Sequence, residues 1–211
     1  SAAATGSAAG IVARRHYILN ALAGADVEAE AESLVGSFRG LIDTLSSVQL
    51  WSLGLWDAYR GDPSVAADAL EFLRARAASG ERLDGVMADG LSAHLAAVTG
   101  DTAGALQLFE KLVPSPPHYA FLQRAHESLG FDRLVQARLL LAQGRFEEAQ
   151  RLARIFESPG AASIVFPIFL PASLAIRLEV AEAQGDGRMV ARITERLETL
   201  GRTDVINGVR H

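Results

Sequence analysis

Cysteine is absent from this 211-residue chain, which excludes disulfides, thiol nucleophiles and cysteine metal sites while leaving the redox compartment open. Lysine is nearly absent too: Lys111 stands alone among many arginines, and with abundant alanine this reads as the codon usage of a GC-rich bacterial genome rather than selection for guanidinium chemistry. Long apolar runs are missing. The longest, IVFPIFLPASLAI from Ile164, falls short of the roughly 20 residues a membrane helix needs and is broken by Pro167 and Pro171, so no membrane span is expected. Concentrated positive charge is missing as well. A net charge of −5 argues against a nucleic-acid partner, because phosphate binding needs clustered cations. Period-2 alternation and β-branched clusters are sparse, so strands find little support.

What is present is the composition of a folded globular chain, 49% hydrophobic and 21% charged, long enough for one domain or two small ones. The opening SAAATGSAAG has linker-like composition, so residues 1–10 are taken as a linker or fusion remnant and residues 11–211 as a single helical-repeat domain. A start at Ser1 suggests a piece of a longer polypeptide. No basic stretch followed by an apolar core is found, and a cytoplasmic location is expected.

The strongest signal is repetition. Five segments share a glycine turn: LAGADVEAEAESL at Gly24, YRGDPSVAADALEFL at Gly61, VTGDTAGALQLFEKL at Gly100, AQGRFEEAQRLARIF at Gly144 and AQGDGRMVARITERL at Gly185. Their spacings are 37, 39, 44 and 41 residues. Five residues after each glycine stand Ala29, Ala66, Ala105, Ala149 and then Val190, small side chains of the kind that closely packed helices need. Apolar residues recur near 3.6 on both sides of each turn, predicting a helix, a tight turn and a second helix. Asp62, Asp101 and Asp186 are placed to cap the second helices, and Pro63 suits a first helical turn. The sum is an all-α chain of about ten helices in five hairpins. One such hairpin cannot bury its own apolar face, so neighbours must stack into a solenoid.

This pattern resembles the tetratricopeptide repeat family. The match runs from Leu53 and Gly54 through Gly61 to Ala66; Gly100, Ala105, Phe109 and Pro117 match the second half of another repeat, and Gly144, Phe146 and Ala149 a third. The periods exceed the family's 34 residues. The last repeat carries Val190 in place of alanine, and Leu73, Leu112, Phe156 and Leu197 stand where a small residue is usual late in the second helix. A HEAT-type two-helix repeat is the alternative. The resemblance implies a right-handed α-α superhelix of about five hairpins whose first helices line a concave groove. Mapped onto that groove are Val48, Trp51, Leu55 and Tyr59, then Met87, His94 and Val98, then Phe131, Leu134 and Arg138, and an acidic end at Glu179 and Glu182. Family members that clamp a terminal carboxylate use Lys and Asn there, and the mapped positions hold neither.

Catalytic signatures are lacking. The five histidines, His16, His94, His118, His126 and His211, include no pair at i, i+4 around a glutamate, and neither a nucleophile elbow nor a phosphate loop ending in lysine occurs. No enzyme activity, cofactor or metal is expected. Arg188, Arg192 and Arg196 recur every four residues on one face of the last helix; they read first as the polar surface of a terminal cap, second as a grip for an acidic partner or a nucleic-acid backbone.

The segment around Phe166, Phe169 and Leu170 interrupts the repeat rhythm. Pro167 and Pro171 disfavour helix from Val165 to Leu170, and its side chains are expected either to plug a repeat junction or to form a patch for a partner or a second copy. The expected function is a non-enzymatic scaffold that binds a protein or peptide segment in its groove. The alternative is a small-molecule-sensing domain attached to a kinase or transcriptional regulator.

Overall fold

The computed structural model describes residues 17–112, 129–157 and 166–205. All regular structure among them is helical, with no strand. Ten α-helices follow one another: α1 (Tyr17–Leu22), α2 (Glu28–Arg39), α3 (Ser47–Tyr59), α4 (Pro63–Ala78), α5 (Arg82–Val98), α6 (Thr102–Lys111), α7 (Gly130–Ala142), α8 (Phe146–Ala153), α9 (Phe166–Ala183) and α10 (Gly187–Thr199), with short 3₁₀ turns at Ile42–Thr44 and Arg154–Glu157. The chain divides into two compact units, Ser1–Thr99 and Gly100–His211.

The turns form for local reasons. Gly144 and Gly185 sit at φ +72° and +69°, a backbone conformation that a β-carbon disfavours. Gly61 is a glycine for a different reason: a β-carbon there would lie 2.1 Å from Asp57 Oδ1. The aspartates then start the next helices. Asp62 accepts a hydrogen bond from the Ser64 N–H at 2.8 Å, Asp101 from Gly104 at 2.9 Å and Asp186 from Met189 at 3.0 Å. Pro63 occupies the first turn of α4.

The small-residue position holds in three hairpins, where Ala66, Ala105 and Ala149 are fully buried. In the first hairpin it shifts. Ala29 is exposed and Ala31 is buried instead, because α2 begins four residues after Gly24, whereas α4, α6, α8 and α10 begin two residues after their glycines. Two extra residues rotate the helix by about 200°, which turns the fifth position outward.

In the N-terminal unit α3 is the central helix, packed against α1, α2, α4 and α5. Every residue from Leu50 to Ala58 is buried, as befits a helix that is apolar nearly all round. Gly54 of α3 approaches Leu91 of α5 closely: a β-carbon at 54 would lie 2.5 Å from Leu91 Cδ2 and 3.3 Å from Ala69 Cβ on α4. Gly54→Val is therefore expected to destabilise this unit by about 3 kcal/mol through overpacking, read as a lower urea midpoint at unchanged slope.

In the C-terminal unit α7 packs on α6, α8 and α9, and α9 packs on α8 and α10. Leu174 and Leu178 of α9 meet Ile193 and Leu197 of α10 in a fully buried cluster that Leu170, Met189 and Val190 flank. One expectation is corrected here: the proline-containing segment is helical from Phe166 onward, with Pro171 inside α9. Pro167 lies in the first turn, where its missing N–H costs nothing, and the bond lost at Pro171 is offset by burial of Phe169, Ala172 and Leu174.

Candidate functional site

The residues expected in a groove are placed as follows. Trp51, Leu55 and His94 are buried inside the N-terminal unit, and Tyr59 is partly buried at the end of α3. The Tyr59 hydroxyl and His94 Nδ1 share a hydrogen bond of 2.8 Å, and the two rings meet edge to face. In the C-terminal unit Phe131 is buried and Arg138 is exposed. Burial pushes the Glu179 carboxyl of α9 upward, Glu182 adds to the rise, and the charge of Arg138 opposes it. Phe169 lies in the core of this unit, its ring 6.2 Å from that of Phe131 and 5.9 Å from that of Phe156, and Leu170 is half-buried. The side chain of Phe166 lies outside the described residues, as do His16, His118, His126, His211 and Pro117.

The partly exposed apolar surface is next to that aromatic set rather than on it. Gly54 faces Leu91, and Tyr59 bonds His94, so contacts advance in the same direction along α3 and α5: the two helices are parallel, offset by about 36 residues. That register carries Val48, at the start of α3, to the first turns of α5. Val48, Leu83 and Val86 are all exposed, an apolar trio at one end of the helix pair.

A charged site stands in the C-terminal unit. Arg177 interrupts an otherwise apolar stretch of α9 and is only 4% exposed. It pairs with Glu157, at the end of the 3₁₀ turn, through Nη1 and Oε1. The other carboxylate oxygen of Glu157 receives Arg196 Nη1 of α10 at 2.5 Å. One carboxylate thus serves two arginines, and two more are close enough to act on Arg177. Burial first, then the charges of Arg154, Arg192 and Arg196, push the Arg177 guanidinium down to about 10.

The donors of this cluster are poorly used. Arg177 Nε is buried without an acceptor among the described residues, and Arg177 Nη2 faces the Met189 sulfur at 3.9 Å. Arg192 Nη2 donates to the same sulfur at 2.9 Å, a weak acceptor for a guanidinium. These groups line a cavity of about 520 Å³ between Glu157, α9 and α10, with Leu174 and Ile193 as its apolar wall and Glu195 and Thr199 completing it. Arg192, Glu195, Arg196 and Thr199 are exposed, so solvent reaches it.

Arg192 and Arg196 stand out in the sequence as a cap surface or a grip for an acidic partner, whereas Arg177 and Glu157 do not. A signal was present: Arg177 follows an uncharged run from Phe166 to Ile176, and a charge set into such a helix calls for a partner, just as Asp57 does inside α3. A smaller cavity of about 240 Å³ lies between α6 and α7, lined by Phe109, Leu129, Asp132 and Arg133, with the Arg133 guanidinium pushed down by burial. No group of three or more metal-ligating side chains occurs among the described residues, and none of the described helices is long and apolar enough to cross a membrane. Set against protein-family models, curated proteins and solved structures, the chain matches none of them.

Proposed function

We propose that this chain is a non-enzymatic interaction module, a hairpin repeat of the tetratricopeptide-like, right-handed superhelical type that binds a protein or peptide segment. The observation that carries this reading is the parallel packing of α3 and α5 with α4 between them, which leaves Val48, Leu83 and Val86 exposed at one end of the first helices of two successive hairpins. Apolar side chains held on rigid helices bind a partner with little ordering cost on their own side. The groups with chemical potential in this unit are engaged in packing instead: His94 with Tyr59, and Asp57 with Arg39. The partner segment expected at this end is itself apolar, an amphipathic helix or an extended hydrophobic stretch.

The test is capture from host lysate with the parent chain and with a Val48→Glu, Val86→Glu double variant. Both positions are exposed, so the variant is expected to keep its helical circular dichroism. A partner held by the parent and lost by the folded variant supports the reading; equal capture by both, or capture by neither, overturns it. A small-molecule-sensing role is the second reading, and the cavity of the C-terminal unit is the observation that favours it.

A further inference from the structure

We propose that the cavity between Glu157, α9 and α10 is a binding site for a phosphomonoester group, held by Arg177, Arg192 and Arg196. The site belongs to the C-terminal unit and stands on observations independent of the apolar trio, so either proposal can fail alone.

Three features of the geometry point to an anion. Arg177 is nine-tenths buried yet its Nε has no acceptor among the described residues, and a buried guanidinium donor without an acceptor is costly. Arg177 and Arg192 both turn N–H groups to the Met189 sulfur, although oxygen is a far better acceptor. Arg154, Arg192 and Arg196 all act on Arg177, while Glu157 and Glu195 are the carboxylates that line the cavity with it. The local balance is positive.

The choice of phosphomonoester over carboxylate follows from what Glu157 already does. One of its oxygens pairs with Arg177 and the other with Arg196, Arg177 Nε has no acceptor among the described residues, and Arg192 has only the Met189 sulfur. A group with three acceptor oxygens and a charge near −2 matches both the donor count and the charge excess. The size of the cavity argues for an organic body attached to the anion: about 520 Å³ falls within the range of ligand pockets. The body could come from a small metabolite or from a phosphorylated side chain of a protein, and the recognising chemistry is the same.

The experiment is calorimetric titration of the whole chain with inorganic phosphate against chloride at matched ionic strength. A sugar phosphate and a short phosphoserine peptide follow, the peptide beside its unphosphorylated form. Saturable one-site binding is expected. Arg192→Gln should weaken it about tenfold and the Arg192→Gln, Arg196→Gln double variant about a hundredfold, as loss of one and of two charge-assisted hydrogen bonds implies. Both positions are exposed on α10, so helix content is expected to hold; should the double variant lose it, Arg192→Gln alone decides. Tightest binding of the sugar phosphate assigns a small ligand, tightest binding of the phosphopeptide assigns a protein-borne group, and equal binding of all three assigns the phosphate alone; each supports the site. No saturable binding by any of the three, or arginine variants that bind like the parent, overturns it.

Discussion

Glu157→Gln is expected to destabilise the C-terminal unit by about 3–5 kcal/mol, the cost of removing one partner from a buried ion pair. Glutamine keeps the size and one acceptor oxygen but supplies no charge. Arg177 would then sit nearly buried, its Nε without an acceptor among the described residues, with Arg154, Arg192 and Arg196 acting on it and the charge of Glu157 no longer there to oppose them. The measurement is urea unfolding, since guanidinium salts would screen the effect: the midpoint should fall at unchanged slope. Adding Arg177→Met should restore most of the loss, because an apolar side chain of similar length has no charge to strand. A double-mutant cycle then isolates the pair. If the phosphomonoester proposal holds, millimolar phosphate should also recover part of the loss in Glu157→Gln, as a ligand bound only by the folded state does. A midpoint unchanged in the single variant would mean that Glu157 contributes nothing to holding Arg177.

Arg39→Ala is expected to cost the N-terminal unit about 3 kcal/mol, again by stranding a buried charge. Asp57 is fully buried on α3, its Oδ1 lies 2.5 Å from Arg39 Nη2, and its Oδ2 accepts no hydrogen bond among the described residues. Gly61 packs against the same carboxylate, so Asp57 has little room to swing toward water. Asp57→Asn should cost less than Arg39→Ala, since it removes the charge along with the pair. Thermal melts of both variants, read by circular dichroism, check the order; the reverse order would mean that Arg39, half exposed, matters little to Asp57.

The hairpins were legible because their causes are local. A glycine whose backbone must turn left-handed, an aspartate that caps the next three residues and a 3.6-residue apolar period all act within one or two turns of chain. Asp62, Asp101 and Asp186 could be assigned as caps from their positions alone, and each makes that bond. The same reasoning failed at Ala29, where two additional residues before α2 changed the phase, and at the prolines of α9. Proline rules weigh backbone cost without knowing how much apolar surface the tertiary fold will bury in return.

The candidate sites divide along the same line. Periodicity marks which face of α3 is apolar but says nothing of what lies against it, so Trp51 and Leu55 could be read as groove or as core until the neighbouring helices enclosed them. Arg192 and Arg196 were visible as a stripe, yet their meaning depends on Glu157 and Arg177, brought in from a 3₁₀ turn and from another helix. The sequence by itself determined an all-helical chain, its hairpin turns and its caps. The tertiary structure alone decided which side chains are covered and which charges meet, because burial and ion pairing depend on three-dimensional neighbours that lie far apart along the chain.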